Sequence, residues 1–149
     1  MAKFVYSMQN VLNIKERLET QAKTEYAEKV SKLQVEEDTM RRMIAKVRHY
    51  EDNARELSKD RLDIGELRRC NDAIRISKEQ VVLQGVRVRV AQKDVDVAME
   101  KLTEAIQDRK VHEKLKEKAF EDFKQELNAQ ESKEVDEIVS FNYNNKDNS

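Results

Sequence analysis

The 149-residue chain has no proline, no tryptophan, only two glycines and a single cysteine. Without proline, nothing covalent interrupts a long helix. Two isolated glycines cannot build a glycine-rich phosphate loop, and neither a nucleophile elbow nor an HExxH zinc motif occurs. One cysteine excludes an internal disulfide. No apolar run approaches the roughly 20 residues that span a bilayer. The opening MAKFVYSMQN lacks the continuous apolar core of a signal peptide, which points to a cytoplasmic chain. Neither sign of charge dominates, with 29 basic against 30 acidic residues. Such mixing speaks against nucleic acid, which calls for a clustered basic face. The balance is graded: residues 1–58 carry 11 basic and 10 acidic groups, 59–110 carry 12 and 10, and the remainder 6 and 10, so the last stretch is acidic.

What the chain does contain is charge, 40% of all residues, and 38% hydrophobic residues. That is too little apolar material for a thick core, yet too regularly spaced for disorder. The mixture of Ala, Glu, Lys, Leu and Arg is that of coiled coils.

The spacing agrees. Between residues 22 and 57 the heptad positions fall at Ala22, Tyr26, Lys29, Leu33, Glu36, Met40, Met43, Val47, Tyr50, Ala54 and Leu57, and nine of these eleven are apolar. A stripe of this period is a seam for a partner helix. Upstream it continues through Phe4, Met8, Val11, Leu18 and Ala22, with a small drift in register. A first helix is expected over about residues 4–58. The break falls in SKDRLDIGEL, with the turn at about 59–63, where Asp63 can cap a new helix and Glu66 can reach back to it. From there a second seam repeats every seven residues: Leu67, Ile74, Val81, Val88, Val95 and Leu102 at one position, Cys70, Ser77, Gln84, Ala91, Ala98 and Ala105 at the other. Arg109 and Lys116 interrupt the first set before Phe123 resumes it, so looser packing is expected toward the C-terminus.

Residues 86–90, VRVRV, alternate as a half-buried strand would. Val88 nevertheless belongs to the period of seven, and a strand without a partner is unstable, so the spacing predicts helix throughout. Leu83, Val86, Val90 and Val97 then line up on the face turned away from the seam, either as a surface for another protein or as a broadened core. The second helix is expected over about 64–138, followed by a frayed polar tail at 139–149 ending in FNYNNKDNS. The fold class is all-α: a single-domain, long antiparallel two-helix coiled-coil hairpin, on the order of 80–105 Å at 1.5 Å per residue.

Chemistry is sparse. His49, His112 and Cys70 have no metal-ligand spacing; His49 is assigned to the surface beside Tyr50, while His112 and Cys70 fall on the seam. A two-helix hairpin offers no closed pocket in which two carboxylates could differ in proton affinity. No catalytic residue, metal or cofactor is inferred, nor any small-molecule substrate.

The opening FVYSMQNVLNIKERLETQAKTEYA resembles the N-terminus of FliJ proteins, components of the flagellar type III export apparatus. DRKVHEKLKEKAFEDFKQELNAQESKEVDEI resembles the same family's C-terminal signature of an RK pair, a KLKE segment and a DE pair, and LDIGELRRCNDAI fits its turn region. The resemblance covers about residues 4–138. It implies a non-enzymatic stalk that binds the hexameric export ATPase and promotes its assembly. It further implies contact with the membrane-embedded export gate and the substrate chaperones, at the cytoplasmic face of the flagellar base. Phe4, Tyr6, Leu12, Ile14 and Lys15 match the first motif; Arg109, Lys110, Lys114, Leu115, Lys116, Glu117, Asp136 and Glu137 match the last, and the resemblance assigns both groups to the ATPase. Gate contact in this family lies beside the turn, where Tyr50 is retained but Cys70 and Ala73 stand where bulky aromatics are frequent. Leu83, Val86, Val90 and Val97 are therefore a candidate substitute surface for gate or other partners. The free chain is expected to be a monomer. Two other readings compete: a prefoldin-like chaperone, which needs a strand body that this sequence lacks, and a purely structural homodimeric coiled coil.

Overall fold

The computed structural model describes residues 2–59 and 63–147. They form two helices, α1 (Gln9–Lys59) and α2 (Ile64–Asp147), and no strand occurs among the described residues. VRVRV is helical throughout. No described helix is long and apolar enough to cross a membrane. The turn expected at 59–63 falls largely on residues 60–62, which lie outside the described residues, as do Asn148 and Ser149 of the expected tail.

The contacts divide the chain into two compact units, one of Met1–Thr20 with Glu104–Ser149 and one of Gln21–Thr103. In the second, the helices run antiparallel: Glu25 meets Lys101 at 3.9 Å, Glu36 meets Gln84, and Glu51 meets Lys78 at 3.4 Å. Every heptad position from Ala22 to Leu57, and both sets from Leu67 to Leu102, is buried or half-buried. Val47, Val95 and Ala98 are the most enclosed apolar residues of this unit. Small residues at Ala91 and Ala98 let the two backbones approach. Gln84, at 2% exposure, occupies a seam position and donates from Nε2 to the Glu36 carbonyl at 3.0 Å and to the Glu36 carboxylate. A buried amide thus finds both its acceptors across the seam, which removes the cost of dehydrating it. Cys70 is half-buried and has no disulfide partner.

α2 begins as its capping residue dictates: the Gly65 amide donates to Asp63 Oδ1 at 2.9 Å and the Leu67 amide to the Asp63 carbonyl at 3.0 Å. A Cβ on Gly65 would come within 3.3 Å of that carboxylate oxygen, so glycine suits the tight cap. Gly85 differs, because a Cβ there would meet only the Met40 methyl at 3.7 Å, an ordinary contact.

Three features of the first unit depart from the sequence expectation. Helix α1 starts at Gln9, not at residue 4, with the Gln9 amide bonded to the Tyr6 carbonyl at 3.2 Å. The preceding arm leaves the helical path, and Phe4 lies against Phe120 and Phe123, ring centroids 5.1 and 5.4 Å apart. Such aromatic pairs contribute about 0.5–1.5 kcal/mol each beyond the area they bury, enough to outweigh one more turn of helix. Second, the register does not drift. Leu18 is 45% exposed, whereas Leu12, Lys15 and Glu19, which continue the period of seven below Ala22 and Tyr26, are turned inward. Third, α2 extends to Asp147 through most of the stretch expected to fray. Propagation adds one hydrogen bond per residue fixed, and no proline or glycine follows Gly85 to stop it.

Replacing Gly85 by alanine is expected to stabilise the protein by about 0.5–1 kcal/mol, the helix-propensity difference, because the methyl group meets no obstacle. Leu12→Ala is expected to cost about 2 kcal/mol or more, as Leu12 is 3% exposed. Chemical denaturation followed by helical circular dichroism measures both.

Candidate functional site

The first unit brings together the motif residues from opposite ends of the chain. Leu12 from α1 and Phe4 from the arm line a shallow open cleft with Glu113, Lys116, Glu117 and Phe120 of α2. One turn further along α1, Lys15 approaches Asp108 at 3.6 Å. Glu19, 7% exposed, accepts from Arg109 Nε, and Arg109 also reaches Glu113 at 2.8 Å. Hydrogen bonds to Glu113 and Glu19 raise the Arg109 guanidinium above its ordinary value, against partial dehydration. The charged interruption at Arg109 therefore does not loosen the seam. It is matched by an acidic residue at the facing seam position, the two 90 residues apart in sequence.

The candidate ATPase-contact residues fall into two groups. Phe4, Leu12, Lys15, Arg109 and Lys116 face the interior of this unit, while Tyr6 is half-buried. Ile14, Lys110, Lys114, Leu115 and Glu117 are exposed, with Ile14 at 53% and Leu115 at 49%. Asp136 and Glu137 lie on the part of α2 beyond Leu127, where every residue through Lys146 is exposed. Phe120 and Glu19 were not singled out from sequence. Nothing in a one-chain pattern distinguishes a seam glutamate that has a partner from one that marks a break, and Phe120 gains its role only through Phe4.

In the second unit, Tyr50 is half-buried at the seam beside Lys46 and His49, and Ala73 is half-buried on α2. The outward stripe is open: Leu83, Val86, Val90 and Val97 are 66%, 46%, 56% and 42% exposed, and among the described residues no third helical segment covers them. Val86 and Val90 are joined by Val35 of α1, 60% exposed, in an open groove of about 470 Å³ that also touches Ala91. Lys29, Lys32 and Arg87 stand on its walls with Glu36 and Asp94. Among the described residues no cluster of three His, Cys, Asp or Glu side chains could hold a metal ion.

Reversing one member of the cross-helix pair, by Glu19→Arg or Arg109→Glu, is expected to lower the melting temperature by a few degrees. Exchanging both should recover most of the loss. A double-mutant cycle on thermal melting measures the coupling, and additive losses would show that the pair is not coupled.

No curated protein and no solved structure matches this sequence. The family described as flagellar FliJ protein matches residues 4–148, nearly the whole chain and both motif regions. The chain therefore belongs to the flagellar FliJ protein family, whose place is in flagellar protein export.

Proposed function

We propose that this protein is a non-catalytic stalk component of the flagellar export apparatus, working at the cytoplasmic face of the flagellar base. It binds the hexameric export ATPase, promotes assembly and turnover of the ring, and links it to the export gate and to substrate chaperones. Family membership supports the export setting. The observation that carries the ATPase assignment is the packing of the N-terminal and C-terminal motifs into one unit. Phe4, Leu12, Glu19 and Arg109 hold that unit together, while Ile14, Lys110, Lys114 and Leu115 remain on its surface.

The internal residues position and the exposed ones touch. An exposed isoleucine and leucine with two lysines nearby in sequence suit a surface that is apolar at its centre and acidic at its edge. Acceleration of the ring would come from favouring its assembled state by binding, since a ligand shifts an equilibrium only by its differential affinity. Hydrolysis stays with the ATPase. Tyr50 and Ala73, with the outward stripe from Leu83 to Val97, are assigned to the gate or to chaperones.

The test is the hydrolysis rate of the export ATPase from the same cell, measured with and without this chain. Stimulation is expected, and Ile14→Asp combined with Lys110→Glu and Lys114→Glu should reduce it several-fold with helical content unchanged. An ATPase that neither binds the chain nor changes its rate would overturn the assignment.

A further inference from the structure

The seven-residue period of the first unit does not stop where α1 stops. Glu19 faces Arg109, and Leu12 shares its cleft with Lys116. Each step moves seven residues down one helix and seven up the other, so the next sets Val5 opposite Phe123. Met8 then falls at the seam position between Val5 and Leu12, as Lys15 falls between Leu12 and Glu19. Both residues are apolar, and no glycine or proline lies between Val5 and Gln9. The pattern for one more turn of helix is therefore present. Residues 2–6 are nevertheless not helical, and Val5 is 80% and Met8 47% exposed.

The place opposite Phe123 is held by the neighbouring residue instead. The Phe4 ring lies 5.4 Å from Phe123 and meets Phe120 edge to face at 5.1 Å. The Lys124 ammonium stands 4.6 Å from the centre of the same Phe120 ring. Successive residues of a helix point about 100° apart, so a helical arm that turned Val5 to Phe123 would turn Phe4 aside. Phe4 and Val5 thus compete for one ring.

We infer that residues 4–8 form a two-position latch at the start of α1. With Phe4 seated on Phe120 and Phe123, the arm is held off the helical path and Val5 and Met8 stand in water. With the ring released, α1 lengthens by about one turn, and Val5 and Met8 enter the seam. Each position joins a gain to a loss. The latched arm keeps its aromatic contacts and forgoes a turn of helix with two buried apolar side chains, and the released arm does the reverse. Closely matched alternatives of this kind let a local contact set the state of a whole segment. Whatever lifts Phe4 from Phe120 therefore lengthens α1. Both positions lie within the first unit and need no second molecule, so the inference stands apart from the partner assignments and is read in the free chain.

Backbone chemical shifts of residues 4–8 in the full-length chain report the position of the arm. The rate of thiol modification in Met8→Cys, with Cys70→Ala removing the native thiol, reports whether position 8 enters the seam. Phe120→Ala is the decisive variant, because it empties the seat of Phe4 without changing the helix propensity of the arm. Non-helical shifts at residues 4–6 and rapid modification are expected with Phe120 in place. Phe120→Ala should move the shifts of residues 5–8 to helical values and slow the modification at least fivefold. Adding Val5→Asp to Phe120→Ala should abolish the helical shifts, because a carboxylate beside Phe123 would be buried without a partner. An arm that turns to coil in Phe120→Ala, or that keeps its shifts there, overturns the inference, as would an arm already helical with Phe120 in place.

Discussion

Everything in this protein depends on one constraint: a helix this rich in charge is not stable by itself and must bury a narrow apolar stripe against another. The stripe is one side chain wide at each level, so its period of seven has to be kept along both helices at once. From Leu67 to Leu102 one set of positions on α2 is apolar without exception, and the other is small or polar. That division places large side chains opposite space left by small ones. The antiparallel order of Glu25, Glu36 and Glu51 against Lys101, Gln84 and Lys78 follows.

An apolar stripe alone specifies register weakly, because sliding by a whole heptad restores much of the same burial. The polar residues set into the seam remove that freedom. A slip would part Gln84 from both oxygens of Glu36 and leave a buried amide unsatisfied, at a cost of roughly 1–3 kcal/mol. In the other unit the same role falls to Glu19 and Arg109, where the guanidinium is held by two carboxylates. Residues that interrupt the hydrophobic pattern are thus the ones that say which turn of α1 meets which turn of α2.

The same constraint divides the work among residues. Side chains that hold the seam are occupied, and any partner must be met by what is left outside. Phe4 is an instructive case, since it belongs to a family motif and yet its ring is engaged with Phe120 and Phe123. Ile14, Leu115 and the valines of the outward stripe, by contrast, present apolar surface to water.

Much of the fold was legible in the sequence. The seam positions, the helical state of VRVRV and the outward direction of Leu83, Val86, Val90 and Val97 all follow from counting in sevens, and the Asp63 cap from its place before a new apolar run. Periodicity is a property of neighbouring residues, so one chain read in order displays it. What it could not display was pairing. Glu19 carries no signal of its own in the sequence and Arg109 only interrupts the pattern, until the fold sets them together across 90 residues. Likewise, the start of α1 at Gln9 depended on aromatic rings more than a hundred residues away, and the valine stripe became a groove only when Val35 came to it from the other helix. The amino-acid order alone determined which face of each helix turns inward, because that is decided within a few turns. The tertiary structure alone decided which charges are matched and which apolar residues stay in water, because both depend on what the other helix brings to that level.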